Sequence, residues 1–205
     1  HLFSGSIFVG RNYDSDEDLA EAGITEGGDG PTLTVEAGAT VAFATSSDFM
    51  IVNRGSTLFA VGSASAPITF TSVSDVNGTV GPEDVQQWGG VVINGFGTTN
   101  KCAYIGNRGE AGYSTSDCHV AAEGAAGLDT SHYGGDNDAD SSGRLEYVVV
   151  KHTGAQVANG DELNGISFGG VGSNTIVENE QQISDEMNRA DIWLYKCYSS
   201  CSMLH

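Results

Sequence analysis

The chain is poor in basic residues, in proline and in long apolar runs. Its 205 residues hold 8 Lys and Arg against 27 Asp and Glu, which gives a formal net charge of −19. This charge repels phosphate backbones and anionic lipid headgroups, so nucleic acid and membrane surfaces are not expected partners. No apolar stretch approaches the roughly 18 residues of a bilayer span. We expect one domain over residues 1–205, and the absence of a leader before His1 predicts a processed or trimmed product.

Cysteine is scarce but even in number. The spacing of Cys102, Cys118, Cys197 and Cys201 excludes a zinc ribbon, a thioredoxin-type motif and a haem attachment site. An even count in an acidic, glycine-rich chain favours two disulfides in an oxidising compartment, with buried free thiols as the alternative. A bridge between Cys102 and Cys118 would contribute about 3 kcal/mol by the chain-entropy model.

Short β-type segments dominate the chain, and helical periodicity is absent until the C-terminus. Each segment has three to six Val, Ile, Leu, Phe or Thr residues between Gly, Asn, Ser or Asp, which is typical of strands and turns. An apolar and glycine pattern recurs at about 17 to 20 residues, which favours stacked coils over a sandwich. The segments are 31–43, 48–62, 66–72, 88–97, 143–154, 163–172 and 174–179.

Five strings carry a family resemblance: TLTVEAGATVAF, IVNRGSTLFAVGSASAPITFTS, WGGVVINGFG, GRLEYVVVKHTG and ELNGISFGGVGSNTIVEN. Together they resemble secreted bacterial lipoproteins and surface proteins related to the pectate-lyase-like superfamily. The likeness covers about residues 5–180. It implies an all-β, right-handed parallel β-helix, and an architecture that hosts lyases, hydrolases, adhesins and scaffolds alike.

The tail departs from that family, because no glycine follows Gly172. Ile183, Met187, Ala190 and Leu194 share one face at helical spacing. We expect a short helix over about residues 183–201 that covers the open end of the solenoid. A truncated or altered C-terminus is the alternative.

A long insertion, residues 98–143, interrupts the repeats, and loops of this length are usually functional or disordered. Within it, Asp136, Asp138 and Asp140 have the spacing of the first ligands of a calcium loop. The EF-hand pattern is incomplete, since position twelve is Val148. Two interpretations stay open, a calcium site completed by backbone carbonyls and a solvated acidic turn.

The candidate catalytic residues are Glu146, His132 and His152. If residues 145–150 form one strand, Leu145, Tyr147 and Val149 share the inner face and Glu146 and His152 the outer face, about 20 Å apart. An acid–base partner must then come from a neighbouring coil or from the insertion. The alternative is that Glu146 is a solvated strand residue. The candidate ligand-binding residues are Tyr104, Tyr113, Tyr133 and Lys151.

These observations predict a secreted or cell-surface scaffold that binds extracellular glycan or another small polar ligand, with calcium as a candidate cofactor. The alternatives are a hydrolase or lyase acting on carbohydrate through outer-face carboxylates, and a structural protein that forms homo-oligomers through its solenoid ends or edges.

The calcium interpretation makes a prediction about stability. If the loop holds Ca²⁺, EDTA lowers the melting temperature, because ligand binding to the folded state stabilises it. Added Ca²⁺ restores the melting temperature and Mg²⁺ does not, as measured by thermal unfolding. An unchanged melting temperature in EDTA removes the metal site.

Overall fold

The computed structural model describes residues 1–114, 118–122, 131–158, 161–179, 181–183 and 192–195. Strands dominate these residues, as expected. The elements in chain order are β1 (Leu2–Phe3), β2 (Ile7–Val9), α1 (Asp16–Ala22), β3 (Thr32–Val35), β4 (Thr40–Phe43), β5 (Met50–Val52), β6 (Thr57–Val61), β7 (Ile68–Ser72), α2 (Val73–Val76), β8 (Val91–Asn94), β9 (Val120–Ala121), β10 (His132–Tyr133), β11 (Gly143–Glu146), β12 (Val148–Lys151), β13 (Gln156–Ala158), β14 (Asp161–Glu162), β15 (Ile166–Gly169), β16 (Ile176–Glu178), β17 (Gln181–Ile183) and β18 (Ile192–Tyr195).

Fourteen of these strands form three parallel sheets. Sheet 1 has the order β1-β4-β7-β12-β17, sheet 2 has β2-β5-β8-β15-β18, and sheet 3 has β3-β6-β11-β16. Every pair in them is parallel. The remaining four strands form two antiparallel pairs, β9 with β10 and β13 with β14.

The chain visits the three sheets in a fixed rotation. From β3 onward it passes through sheet 3, sheet 1 and sheet 2, and then repeats this order with β6, β7 and β8. Two later coils follow the same rotation, first β11, β12 and β15, and then β16, β17 and β18. Each strand inside a sheet therefore satisfies its backbone against the coil before it and the coil after it. The parallel pairing predicted from the repeats is confirmed.

The core is built from columns of inward side chains in register. In sheet 1, Val41 aligns with Phe70 and Phe70 with Val150, and all three are buried. Trp88 is fully buried and stacks on Phe43, with ring centroids 4.5 Å apart. Residues between the inward positions face outward, since successive side chains of a strand alternate.

Tyr147 breaks the segment that the sequence predicts as one strand. Its φ of 51° lies in the left-handed region, and it separates β11 from β12. The alternation restarts after this corner, so Leu145, Val148 and Val150 are all buried. The predicted inner face is therefore wrong beyond Leu145, because the chain turns where an unbroken strand was expected. The 20 Å separation derived from that strand does not apply either.

Helix α1 was not expected from the sequence. The Ser15 side chain accepts a hydrogen bond from the Asp18 amide, and the left-handed Gly23 ends the helix. The three acidic residues in its first turn stabilise the helix, because their charges interact favourably with the positive end of the helix dipole. Its apolar face is a single buried residue, Leu19, so amphipathic periodicity could not reveal it.

The predicted C-terminal helix is corrected in part. Residues 192–195 form β18, which pairs in parallel with β15. The next coil therefore continues where a helical cap was expected. Residues 184–191 and 196–205 lie outside the described residues. Within the described part of the chain, no helix has the length and hydropathy needed to cross a membrane.

The inward column predicts a clear contrast between adjacent residues of β6. Leu58 is 0% exposed and Phe59 is 41% exposed. We expect Leu58→Ala to lower the free energy of unfolding by about 2–5 kcal/mol, because it leaves a cavity in the core. Phe59→Ala, although it removes a larger side chain, should change it by about 0.5 kcal/mol or less. Denaturant unfolding measures both, and equal effects would contradict the assigned faces.

Candidate functional site

A disulfide and a strand pair link distant parts of the insertion. Cys102 and Cys118 form a disulfide with their Cα atoms 5.0 Å apart, so this part of the cysteine prediction is confirmed. Strands β9 and β10 pair antiparallel within the insertion. Cys197 and Cys201 lie outside the described residues.

The three aspartates of the acidic loop have different partners. Asp138 accepts hydrogen bonds from the Thr98 amide and hydroxyl and forms an ion pair with Arg108. Asp140 is buried, and its carboxylate accepts hydrogen bonds from the Phe96 amide and the Ser142 hydroxyl. Burial raises the pKa of Asp140 above its ordinary value. These two carboxylates therefore stabilise the loop.

Asp136 faces another direction and belongs to the cleft described below. Among the described residues, no group of three or more His, Cys, Asp and Glu side chains could hold a metal ion. Calcium binding by Asp136, Asp138 and Asp140 stays a prediction.

Glu146 lies in a charge ladder on the outer face of sheet 3. The Arg144 guanidinium contacts the carboxylates of Glu146 at 2.7 Å and Glu178 at 3.2 Å. In register, Arg144 stands beside Phe59 and Glu146 beside Val61. The ladder joins neighbouring coils through partly exposed ion pairs, which agrees with the interpretation of Glu146 as a solvated strand residue.

His152 and Lys151 belong to a different cluster, around Asp75. The His152 ring is 2% exposed, with Nδ1 2.5 Å from the Asp84 carbonyl oxygen and Nε2 3.3 Å from Asp75. Lys151 Nζ lies 2.7 Å from Asp75, and Lys151 and the Thr71 hydroxyl donate to that carboxylate. Burial opposes but does not outweigh these contacts, which lower the Asp75 pKa. The cluster anchors α2 and the segment after it.

The remaining predicted residues are also held by the protein. The His132 amide donates to Asn12, and its ring contacts the same side chain. Tyr133 is 1% exposed, so its ring has no open face for a sugar. Tyr104 and Tyr113 form a tilted pair with centroids 5.6 Å apart. Glu146, His132 and His152 therefore have separate partners and do not form one cluster.

A polar cleft of about 190 Å³ lies where the insertion, α1 and one coil corner meet. None of the residues predicted as catalytic or ligand-binding lines it. Gly134 and Gly135 leave part of its wall without side chains, and a Cβ on Gly134 would lie only 2.5 Å from the Cys118 sulfur. The other lining residues are Asp16, Leu19, Glu26, Arg54, Phe96, Cys118, His119 and Asp136.

Arg54 holds the cleft together. The residue is 4% exposed, and its guanidinium donates to the carbonyl oxygens of Tyr13, Cys118 and Gly134 at 2.5, 3.2 and 2.7 Å. It also lies over the Phe96 ring, 5.3 Å from the centroid. Burial lowers the Arg54 pKa to about 10, which leaves it charged at neutral pH. One buried cation thus joins the N-terminal segment to two separate points of the insertion.

The hydrogen bonds of Arg54 also determine which ring nitrogen of His119 carries a proton. Arg54 donates to His119 Nδ1 at 2.8 Å, and arginine has no acceptor. Nδ1 is therefore unprotonated, and the ring proton is on Nε2, which donates to Asp16 at 2.9 Å. His119 therefore bridges the buried guanidinium and the exposed first turn of α1.

A carboxyl pair lies on the acidic side of the cleft. Glu26 hydrogen-bonds to Asp136, although both residues are exposed as wholes. Desolvation of its carboxyl, followed by the hydrogen bond and charge of Asp136 and the charge of Asp16, raises the Glu26 pKa to about 8. Two carboxylates so close cannot both ionise without strong repulsion. At neutral pH the pair therefore holds a proton.

Sequence reasoning missed Glu26, Arg54 and His119 as site residues. They are separated by 28 and 65 positions along the chain, and none lies in a recognisable motif. The only local signal is Arg54 itself, an arginine beside the glycine corner of an apolar repeat in a chain with 8 basic residues. Asp136 was selected, but as a metal ligand.

The raised pKa makes stability depend on pH. The folded state keeps the Glu26 proton up to pH of about 8, whereas the unfolded chain releases it near 4.5. Between these values the folded state binds more protons, so stability falls as pH rises through this window. Denaturant unfolding at a series of pH values should show a smaller loss in Glu26→Gln than in the parent. A carboxyl NMR titration midpoint near 4.5 for Glu26 would contradict the pair.

Comparison with known proteins agrees with this architecture. Residues 15–186 match the model of the pectate-lyase-like beta helix domain. No curated protein and no solved structure matches the chain. The match spans most of the 205 residues and agrees with three parallel sheets visited in rotation. The chain therefore belongs to the pectate-lyase-like beta helix family.

Proposed function

We propose that this β-helix protein binds carbohydrate, and that the ligand occupies the cleft beside Arg54. The observation that carries the proposal is that the carboxyl groups of Glu26 and Asp136 line that cleft together. The one proton is used in the hydrogen bond between the two carboxyl groups, so the remaining carboxyl oxygens can act as acceptors. Sugar hydroxyls can donate hydrogen bonds to these oxygens. The family match supports a carbohydrate-related role.

The size of the cleft favours one sugar ring. Its volume of about 190 Å³ is below the about 300–1,000 Å³ of sites that enclose a whole drug-sized molecule. A single ring at the end of a longer glycan fits this space, with the rest of the glycan outside. The exposed positions of Glu26 and Asp136 are consistent with entry from solvent.

The charges of the cleft favour a neutral sugar over an acidic one. Both terminal nitrogens of Arg54 are engaged with three carbonyl oxygens and one imidazole nitrogen, and the Nε that has no partner is buried. Asp16 and the singly protonated pair of Glu26 and Asp136 add negative charge, and the whole chain carries −19. A uronate or sulfated sugar would be repelled both by the carboxylates of the cleft and by the net negative charge of the chain.

The separation of the carboxyl groups favours binding over hydrolysis. Glycosidases hold their two carboxyl groups about 5–5.5 Å apart, or about 6.5–9.5 Å apart when a water intervenes. Glu26 and Asp136 are hydrogen-bonded to each other, which is closer than either arrangement. Glu146, the carboxylate predicted as catalytic, is paired with Arg144 on sheet 3. We therefore place hydrolysis second.

We also infer that the coils wind right-handed and that the protein works outside the cell. Crossovers between parallel strands of one sheet are right-handed in about 98% of cases. The disulfide between Cys102 and Cys118 supports an oxidising compartment, where such bonds persist.

The test is titration of the protein with a panel of neutral and acidic oligosaccharides, with binding measured by isothermal titration calorimetry. We expect saturable binding of a neutral glycan, and at least tenfold weaker binding in Glu26→Ala and in Asp136→Ala, because each loses half of the pair. The matched control is Glu21→Ala, which removes an exposed carboxylate of α1 outside the cleft.

Two results would contradict the proposal. One is the absence of binding to every glycan in the panel by a protein with a cooperative unfolding transition. The other is binding that Glu26→Ala and Glu21→Ala weaken equally, which would indicate overall charge and not the cleft. Release of reducing ends from the same glycans would favour the hydrolase alternative.

A further inference from the structure

The basic side chains of the cleft have no accessible hydrogen-bond donor to spare. Both terminal nitrogens of Arg54 are engaged with carbonyl oxygens and with Nδ1 of His119. The Nε atom of Arg54 has no partner, but it is buried. The ring proton of His119 is donated to Asp16. Arg54 and His119 therefore give the cleft charge and shape, but no donor that a ligand could reach.

The other side chains that line the cleft offer acceptors or no polar group. The pair of Glu26 and Asp136 uses its one proton in the hydrogen bond between the two carboxyl groups, so the remaining oxygen positions of the pair accept. Cys118 is in a disulfide, and Leu19 and Phe96 are apolar. Across the described lining residues, the side chains therefore present acceptor oxygens without accessible donors.

This set of groups fits an ammonium better than a hydroxyl. An ammonium has three donors and no acceptor, whereas a hydroxyl both donates and accepts. A hydroxyl on the carboxyl pair would leave its own lone pairs without a donor from these side chains, and a polar group that loses water without gaining a partner costs free energy. An ammonium has no lone pair to leave unsatisfied.

The charges of the cleft favour the same group. Arg54 supplies one positive charge, whereas Asp16 and the singly protonated pair of Glu26 and Asp136 supply two negative charges. One ammonium therefore balances the charge of the cleft, and a hydroxyl or an acetylated amine does not. The net charge of −19 on the chain also attracts a cation from solution.

We propose that the cleft binds a sugar ring that carries a free, protonated amino group. The inference rests on the proposed carbohydrate function and names the class of sugar. The ammonium donates to the carboxyl groups of Glu26 and Asp136, and the ring lies beside Gly134 and Gly135, which line the cleft without side chains. The volume of about 190 Å³ holds one such ring.

A lysine side chain carries the same ammonium but suits the cleft less well. Fixing its long stem costs side-chain conformational entropy, whereas a sugar ring presents its amino group on a rigid frame. The family match also supports a carbohydrate. The amino sugar is therefore the ligand that we test, with lysine as a competing arm.

The test compares trisaccharides of glucosamine, N-acetylglucosamine and glucose, which have the same linkage and differ only in the group on the second ring carbon. Isothermal titration calorimetry is run in EDTA, which removes divalent cations, at about pH 6, where an amine with a pKa of about 7.7–8.0, such as an α-amino group, is protonated. We expect the glucosamine trimer to bind at least tenfold more tightly than the other two.

A charge-neutral variant tests the position of the ammonium. The double substitution Glu26→Gln with Asp136→Asn keeps the size of both side chains and removes the charge of the pair. It should reduce the preference for the free amine to about twofold or less, and it should leave the affinity for the N-acetylated trimer within about threefold of the parent. The matched control is Glu21→Gln, which removes one exposed charge outside the cleft and should keep the tenfold preference.

The comparison among ligands uses the unmodified protein, so it does not depend on how a variant folds. Equal affinity for the three trimers overturns the amino-sugar proposal and leaves carbohydrate binding in place, whereas no binding of any trimer removes both. An equal loss of preference in Glu21→Gln and in the double variant would indicate overall charge and overturns the proposal. Displacement of the glucosamine trimer by an equal concentration of Nα-acetyl-lysine amide would assign the cleft to lysine and also overturns it.

Discussion

Parallel hydrogen bonding between successive coils is the interaction on which the rest of this structure depends. A strand of three to five residues has no stable existence alone, and an unpaired buried amide or carbonyl costs about as much as a lost hydrogen bond. Stacking satisfies both edges of β6 at once, through β3 and β11. It also aligns Val41, Phe70 and Val150 into one apolar column. The apolar core, the outer faces of the sheets and the ends of the stack of coils all result from this pairing.

Among the coil residues that line the cleft, Arg54 makes the contacts that attach the irregular segments. Arg54 follows β5, and its guanidinium reaches carbonyl oxygens of the N-terminal segment and of the insertion. Burying a cation is costly unless it is hydrogen-bonded and compensated by charge, and the acidic residues near it compensate in part. An acidic chain thus uses one of its few cations to fix two irregular segments against a regular scaffold.

The outer faces and the ends respond to the same pairing in opposite ways. Outer positions tolerate charge, as the contact of Arg144 with Glu146 and Glu178 shows, because their side chains stay in water. The end at β3 has no such freedom, since its backbone edge and its inward residues lack a partner strand among the described residues.

The sequence by itself indicated the β-rich composition and the parallel coils, because strand periodicity and glycine corners are local properties. It also indicated the disulfide between Cys102 and Cys118. It did not reveal the corner at Tyr147, because a positive φ at a tyrosine is a local exception that the packing of two sheets enforces. Nor did it identify the cleft. Glu26, Arg54, His119 and Asp136 meet only after the coils and the insertion fold, and the raised pKa of Glu26 exists only through that proximity. Tertiary structure alone determines this pKa, because desolvation and charge act through space and not along the chain.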